Sequence, residues 1–354
     1  MGRMSNQIRI GDKMVGEGAP CFIIAEMSGN HNMDFNRAVT MIREAKKAGV
    51  DAVKLQTYTA DTITLDSDKK YFYTDDDSLW SHMTLHQLYE KAYTPWEWQP
   101  ELKKVADEEG ILLFSSPFDL TAIDFLEKMD VPAYKIASYE INDIPLIKKA
   151  AQTGKPMIIS TGIAELEDID LAVRTCKSVG NDQIILLKCT SEYPSVYEEM
   201  NLNMMAGLKQ VFGCPIGLSD HSMGDEIDIA AVALGAKVIE KHFTLKRADG
   251  GVDSEFSMEI EEFADMVRRI RNVEAAFGSS TYGVTEKQAQ GKRFSRSLFA
   301  AADIKAGEIF DEKNVRSVRP YDGLHTKYYE DIIGKKATRD ISFADPLKMN
   351  DIEW

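Results

Sequence analysis

The sequence predicts an α/β protein: a (β/α)8 TIM barrel over residues 1–280, a linker over 281–295, and a small, mostly β domain over 296–354. Three observations carry this. Eight short apolar runs recur before residue 246, each ending in polar or charged side chains; stretches of helical periodicity lie between them; both patterns stop near residue 278. Strands alternating with helices make βαβ units and a parallel sheet, and eight units in about 280 residues is the size of a closed barrel. The alternative is an open doubly wound sheet, but no glycine-rich dinucleotide fingerprint follows the first run.

Taken in order, the strands are expected at 21–28 (CFIIAEMS), 52–58 (AVKLQTY), 111–118 (ILLFSSPF), 133–141 (AYKIASYEI), 156–162 (PMIISTG), 184–191 (IILLKCTS), 215–222 (PIGLSDHS) and 238–245 (VIEKHFTL). Between the first two, residues 34–48 place Phe35, Ala38, Val39, Ile42 and Ala45 on one face and Arg37, Arg43, Glu44, Lys46 and Lys47 elsewhere, the pattern of an amphipathic helix. Comparable periods fall at 97–109, 119–128, 143–152, 165–178, 225–234 and 259–277. The connection over 59–110 is far longer than a βα unit needs and holds three of the four tryptophans, in Leu79-Trp80 and Trp96-Glu97-Trp98. Long loops in compact barrels usually serve function, so this one is expected to touch substrate. Past the polar stretch 278–295, strand-like pieces at 297–301 and 314–319 and turns at Lys305-Ala306-Gly307-Glu308 and Asp322-Gly323 predict the small β domain.

Composition narrows the function. The hydrophobic share of 44% and charged share of 28% are those of a globular protein, and no run approaches the ~20 apolar residues that span a bilayer. Residues 1–7 carry one basic side chain and no apolar core, so no secretory signal is expected there. Cys21, Cys176, Cys189 and Cys214 lack paired spacing and read as buried thiols of a reducing cytoplasm. A net charge of −15 argues against nucleic acid or anionic membrane as partner. It leaves open a small anionic substrate bound by local lysines.

Buried strands are normally apolar to their ends, so polar tips on all eight mark the catalytic end of a barrel. The tips supply Glu26 and Ser28; Lys54 and Gln56; Ser115 and Ser116; Lys135, Ser138 and Glu140; Ser160 and Thr161; Lys188 and Ser191; Ser219 and His221; Glu240 and His242. Period-two alternation pairs Lys54 with Gln56, Ser219 with His221, and Glu240 with His242 and Thr244. It does not pair Lys135 with Ser138, so a kink is expected between them. Lysines beside hydroxyls suit a phosphate or carboxylate ligand. Two imidazoles on neighbouring strands suit one shared divalent cation. Glu26, Glu140 and Glu240 are candidates for proton transfer or for binding sugar hydroxyls. Two chemistries remain: a Schiff-base aldolase with a buried lysine, or a metal-assisted condensation with a phosphorylated donor, which the histidine pair favours.

At these residues the chain resembles the sialic acid synthase (N-acetylneuraminate synthase-like) family. The motifs are Ile24-Ala25-Glu26 with Asn30-His31, Val53-Lys54-Leu55-Gln56, Ser116-Pro117-Phe118-Asp119, Tyr134-Lys135-Ile136-Ala137-Ser138, Ile159-Ser160-Thr161-Gly162, Leu218-Ser219-Asp220-His221, Glu240-Lys241-His242-Phe243 and Asp253-Ser254-Glu255-Phe256-Ser257. The tail resembles the antifreeze-protein-like (SAF) module that accompanies them. Within the family, residues 88–98 and Arg319-Pro320-Tyr321-Asp322-Gly323-Leu324 look most like pseudaminic acid synthases. The resemblance implies condensation of phosphoenolpyruvate with an N-acetylated amino sugar, here 2,4-diacetamido-2,4,6-trideoxy-L-altrose, by a cytoplasmic homodimer. It assigns His221 and His242 to Mn or Mg, and Lys54, Ser116, Lys135, Ser138, Ser160 and Ser219 to phosphoenolpyruvate. Glu26, Gln56, Tyr193 and Asp253 are assigned to the sugar, Glu140 to the reacting carbons, and Arg319 to the sugar in the partner subunit's barrel. The alternatives are an N-acetylneuraminic or legionaminic acid synthase, and, remotely, a non-enzymatic carbohydrate- or ice-binding protein.

Overall fold

Eight parallel strands form where the apolar runs predict them: Phe22–Glu26, Ala52–Thr57, Leu112–Pro117, Tyr134–Ile136, Met157–Ser160, Ile184–Cys189, Ile216–Asp220 and Val238–Thr244. Each pairs with the next, and the eighth pairs with both the seventh and the first, so the sheet closes. The computed structural model describes residues 7–74 and 82–354, so Leu79-Trp80 lies outside the described residues. The chain divides into two compact units, Met1–Gly278 and Ser279–Trp354.

In the larger unit the strands are buried along their length, as between an outer helical ring and a filled interior. The helix Phe35–Ala48 starts at Asp34, whose carboxylate accepts from the N–H groups of Asn36 and Arg37, and stops at Gly49 with φ 83°. Asp119 and Asp143 cap the helices Leu120–Lys128 and Ile144–Gln152 in the same way. The helices at Gln99–Glu109, Leu166–Ser178, Glu226–Ala233 and Ile260–Ala276 also sit where the apolar period predicts.

Three features differ from the sequence reading. The run 133–141 is a strand only over Tyr134–Ile136 and then turns into a 3-10 helix, Ser138–Glu140. That is the kink the broken alternation between Lys135 and Ser138 requires. An antiparallel hairpin, Gln7–Ile10 with Lys13–Gly16, precedes the barrel and sends Ile8, Ile10 and Val15 into its core. Helices at Leu85–Ala92 and Met204–Phe212 were likewise not anticipated. Their apolar faces are short, with one and two buried residues respectively.

The smaller unit centres on Ser297–Ala300, paired antiparallel with Val315–Val318 and Leu324–His325. Leu298, Phe310, Val315, Ile341 and Leu347 fill its core. The polar segment expected as linker carries a one-turn-plus helix, Glu286–Gly291, capped by Thr285.

Candidate active site

The barrel's C-terminal mouth is built on a buried charge network. On the eighth strand, alternation turns Glu240 and His242 inward and Lys241 outward. Glu240 stands opposite Ser219 of the seventh strand, and Lys54 opposite Glu26 of the first. Glu240 Oε1 takes Lys135 Nζ at 2.9 Å, Lys54 Nζ at 3.2 Å and Ser219 Oγ at 3.0 Å. Lys54 also meets Glu26 Oε2 at 2.9 Å. Burial alone would raise the Glu240 carboxyl, but Lys135 and Lys54 together hold it well below the usual carboxylate range. Glu26, with one lysine for neighbour and Glu240 nearby, is pushed up by burial. Burial works against the charge on both lysines. Glu240 and Glu26 outweigh it at Lys54, whose pKa rises, whereas Lys135 ends below its ordinary value.

Above this floor the rings of His221 and His242 lie 5.2 Å apart, with Tyr193 against His221 at 4.5 Å and Phe256 against His242 at 5.1 Å. His221 Nδ1 is 3.0 Å from the Thr190 carbonyl. A carbonyl only accepts, so this nitrogen carries a proton; burial works against a second proton on the ring, but Cys189 outweighs it and the His221 pKa rises. His242 Nδ1 is buried without a hydrogen-bond partner, and burial, with His221 beside it, keeps this imidazole neutral. Two adjacent imidazoles, one neutral with an orphaned buried nitrogen and one that must first give up its second proton, suit a divalent cation. No group of three or more His, Cys, Asp or Glu that could hold a metal occurs among the described residues, so such a cation would keep open positions. Cys189 Sγ lies 3.8 Å from His221 Nδ1. Burial pushes its thiol up, but His221 more than offsets this and brings it to about 7.

The cavity over these groups measures about 330 Å³. Lys54, Gln56, Lys135, Ser138, Glu140, Ser160, Tyr193, Ser219, His221, His242 and Asp253 all line it. Glu26 and Ser116 do not. Glu26 is fully buried, holding Lys54 and the Ser28 N–H, and Ser116 Oγ is buried without a partner. Arg319 is an exposed residue of the smaller unit. Ser138 Oγ accepts from the Gly162 N–H at 3.1 Å, and Ser28 Oγ donates to Asp253. Glu140 is pushed up to about 7 by burial, with Lys135 offsetting part of the effect. A hollow of about 190 Å³ elsewhere holds Arg247, Glu262, Asp265 and Arg269, whose charges pair with one another, so the strand-end cavity is the candidate site.

The expectation for the long loop is only partly met. Its described tryptophans are structural: Trp96 Nε1 donates to the Tyr58 carbonyl at 3.0 Å and its ring stacks on Phe125, while Trp98 packs on His31 and Phe35. The loop instead reaches the cavity through Ile63, Leu88, Tyr89 and Ala92. Leu88, Tyr89 and Ala92 fall in the stretch 88–98 and Phe118 in the motif Ser116-Pro117-Phe118-Asp119 that the sequence singles out, but no site role is read there for them, nor for Ile63, Tyr58 or Cys189. The signal available was that Leu88 and Tyr89 follow a helix start at Thr84 with Gln87 closing its capping box.

A closed parallel barrel with two buried lysines, a histidine pair and a ring of hydroxyls at its C-terminal mouth is a catalytic scaffold for anionic, oxygen-rich substrates. The chain belongs to the NeuB family, whose profile matches residues 41–282, and a SAF domain follows at 295–353. It is 48% identical over 330 residues to the pseudaminic acid synthase of Campylobacter jejuni subsp. jejuni, covering 93% of this chain and 96% of that one. The pseudaminic acid synthase of Helicobacter pylori is 44% identical, with 94% and 98% covered. Among solved structures, the N-acetylneuraminic acid (sialic acid) synthetase of Leptospira borgpetersenii in complex with citrate superposes with TM-score 0.72 at 33% identity, over 82% of this chain and 96% of that one.

Proposed function

We propose that this chain is a pseudaminic acid synthase, condensing phosphoenolpyruvate with 2,4-diacetamido-2,4,6-trideoxy-L-altrose and water to give pseudaminic acid and phosphate by C–O cleavage. The observation that carries the reading is the pair of buried lysines held on Glu240 at the floor of the mouth. Its company is a chain nearly half identical to enzymes of that name.

Phosphoenolpyruvate binds with its anionic oxygens on Lys54 and Lys135 and on the hydroxyls of Ser138, Ser160 and Ser219. Ser160 Oγ, buried and without a partner, is a donor held ready for it. Glu240 and Glu26 keep the lysines in place when the ligand is absent. The acceptor lies across the mouth on Gln56, Tyr193 and Asp253, with its aldehyde toward the histidines. A divalent cation (Mn or Mg) held by His221 and His242 would supply Lewis-acid polarisation of a carbonyl oxygen. The enol π pair of phosphoenolpyruvate forms the new bond from C3 to the aldehyde carbon as the C=O π pair moves onto the aldehyde oxygen, which takes up a proton to become the product's hydroxyl, leaving C2 electron-poor. Water adds at C2, one proton passing to Glu140; the new hydroxyl then closes to C=O, giving its proton to the phosphate that leaves with the C–O electron pair. Holding both substrates in one geometry supplies a large share of the acceleration.

The same reading makes the enzyme a homodimer in which Arg319 enters the partner's barrel, its planar guanidinium suiting hydroxyl and acetamido oxygens. Four free buried cysteines favour a reducing, cytoplasmic setting, and no helix among the described residues is long and apolar enough to cross a membrane. The test is phosphate release with the three components varied one at a time. Release that needs phosphoenolpyruvate, the diacetamido sugar and a divalent metal together is the expected result. Full turnover in EDTA removes the metal, and activity on N-acetylmannosamine alone removes the acceptor.

A further inference from the structure

The candidate cavity has two unlike sides. The floor and the side of the seventh and eighth strands are polar, with lysines, histidines and hydroxyls. Toward the second and third strands the rim is mostly apolar and aromatic carbon, formed by Ile63, Leu88 and Tyr89 from the long connection together with Tyr58 and Phe118 at the strand ends, with Gln56, Glu140 and Asp253 as polar neighbours. Tyr58 is the keystone: its ring stands edge-on to Tyr89 at 5.5 Å and to Phe118 at 5.2 Å. Such edge-to-face packing fixes ring positions, so the wall is preformed.

This wall has a definite place in the barrel. In the closed strand order the third strand lies four places from the seventh, directly across the mouth. An open-chain ligand whose aldehyde faces His221 meets Phe118 across the mouth, while Tyr58, at the end of the second strand, flanks its path two places from the strand of His242. The mouth also exposes one gap in polar chemistry there. Leu88 and Ile63 offer no hydrogen bond to a hydroxyl, so a hydroxyl placed against them loses its water without compensation.

We propose that the Tyr58–Tyr89–Phe118 cluster with Leu88 and Ile63 is the acceptor-selecting wall, taking the deoxygenated C6 methyl and the 4-acetamido methyl and rejecting sugars hydroxylated at C6. The inference rests on the function proposed above and names the part of the site that selects its sugar. The helix carrying Leu88 and Tyr89 is seated by Gly29, where a Cβ would come within 2.5 Å of Val252 Cγ2 and 3.0 Å of the Ala92 carbonyl. His31 Nε2 to Thr94 Oγ1 at 3.1 Å pins the chain just beyond it.

The experiment compares kcat/KM for 2,4-diacetamido-2,4,6-trideoxy-L-altrose and for its 6-hydroxy analogue, by phosphate release with Mn present. It uses full-length wild type, Tyr89→Ser, Leu88→Asn and Tyr89→Phe, with phosphoenolpyruvate affinity from calorimetry as the check on folding. Wild type is expected to prefer the deoxy sugar by roughly 10- to 200-fold, the range one methyl-sized difference commands in an apolar pocket. Tyr89→Ser and Leu88→Asn should bind phosphoenolpyruvate normally yet lose most of that preference, chiefly through KM, while Tyr89→Phe retains it. A preference unchanged in both polar variants, or a loss that falls equally on the two sugars, overturns the wall as selector. Should one polar variant fail to bind phosphoenolpyruvate, the other is read alone. Wild type inactive on the deoxy sugar but active on another acceptor is a different result, overturning the proposed function and this inference with it.

Discussion

At the scale of single residues, the histidine pair and Glu140 carry the sharpest expectations. His242 Nδ1 has no hydrogen-bond partner and its imidazole stays neutral, the state a metal requires. His242→Ala is expected to weaken Mn binding, read by calorimetry without substrate, and to cut turnover by more than about 100-fold; unchanged Mn affinity would make this histidine structural. Glu140 belongs to a different argument. Burial lifts its carboxyl to about 7, so it is protonated below that pH and ionised above it. As acceptor of the proton from the water that adds at C2 it acts ionised, and kcat should rise with pH through about 7. Glu140→Gln should flatten that limb and lower kcat by about 10²- to 10⁴-fold. An inflection that survives in Glu140→Gln assigns the titration to another group.

At the scale of elements, the seventh and eighth strands present the two histidines because a second buried network fixes them from behind. Lys241, outward on the eighth strand, pairs with Asp220, lies 3.3 Å from Asp228 of the helix Glu226–Ala233, and donates to the Ser222 carbonyl at 2.8 Å. Asp220 in turn accepts from the Ser222 N–H and hydroxyl, each at 2.9 Å. Burial pushes the Asp228 carboxyl up, with Lys241 offsetting only part, so one lysine serves two buried carboxyls. Lys241→Met leaves the buried Asp220 and Asp228 without their shared cation. It should cost about 3–5 kcal/mol in urea unfolding and weaken Mn binding about 10- to 100-fold by loosening the residues beside both histidines; full stability in this variant would show the trio to be dispensable. These elements also show what a linear sequence reveals. Strand tips were legible because a lysine or histidine inside an apolar run is conspicuous, and the turn after Lys135 because alternation breaks there. The stretch holding Leu88 and Tyr89 stood out by resemblance, but not which of its residues face the cavity: a short helix with one buried residue has no strong period, and tryptophan drew attention to Trp96 and Trp98, whose rings face the barrel's packing. Nor does sequence separate Ser116, which is buried away from the cavity, from Ser160, which lines it.

At the scale of the whole molecule, the question is what a second unit contributes. Its core is small, built on Leu298, Phe310, Val315, Ile341, Leu347 and six further buried residues; a domain of about 60 residues buries a smaller share of its surface than a large one and is correspondingly marginal. It carries Arg319, exposed beside a cis bond to Pro320, while the lysines and histidines belong to the barrel. If each site draws Lys54 from one subunit and Arg319 from the other, the lesions complement. Arg319→Ala and Lys54→Ala homodimers each have two damaged sites. In a mixed dimer one site collects both lesions and the other collects none. Random reassociation of equal amounts makes half the dimers mixed, so about a quarter of wild-type activity returns. If Arg319 serves its own barrel, every site in the mixed dimer keeps one lesion and nothing returns. The measurement is phosphate release after the two variants are mixed, dissociated in mild urea and dialysed, with each variant treated alone for comparison. Recovery near a quarter establishes both the dimer and the exchange of Arg319 across it; recovery no greater than the sum of the parents removes Arg319 from the partner's site.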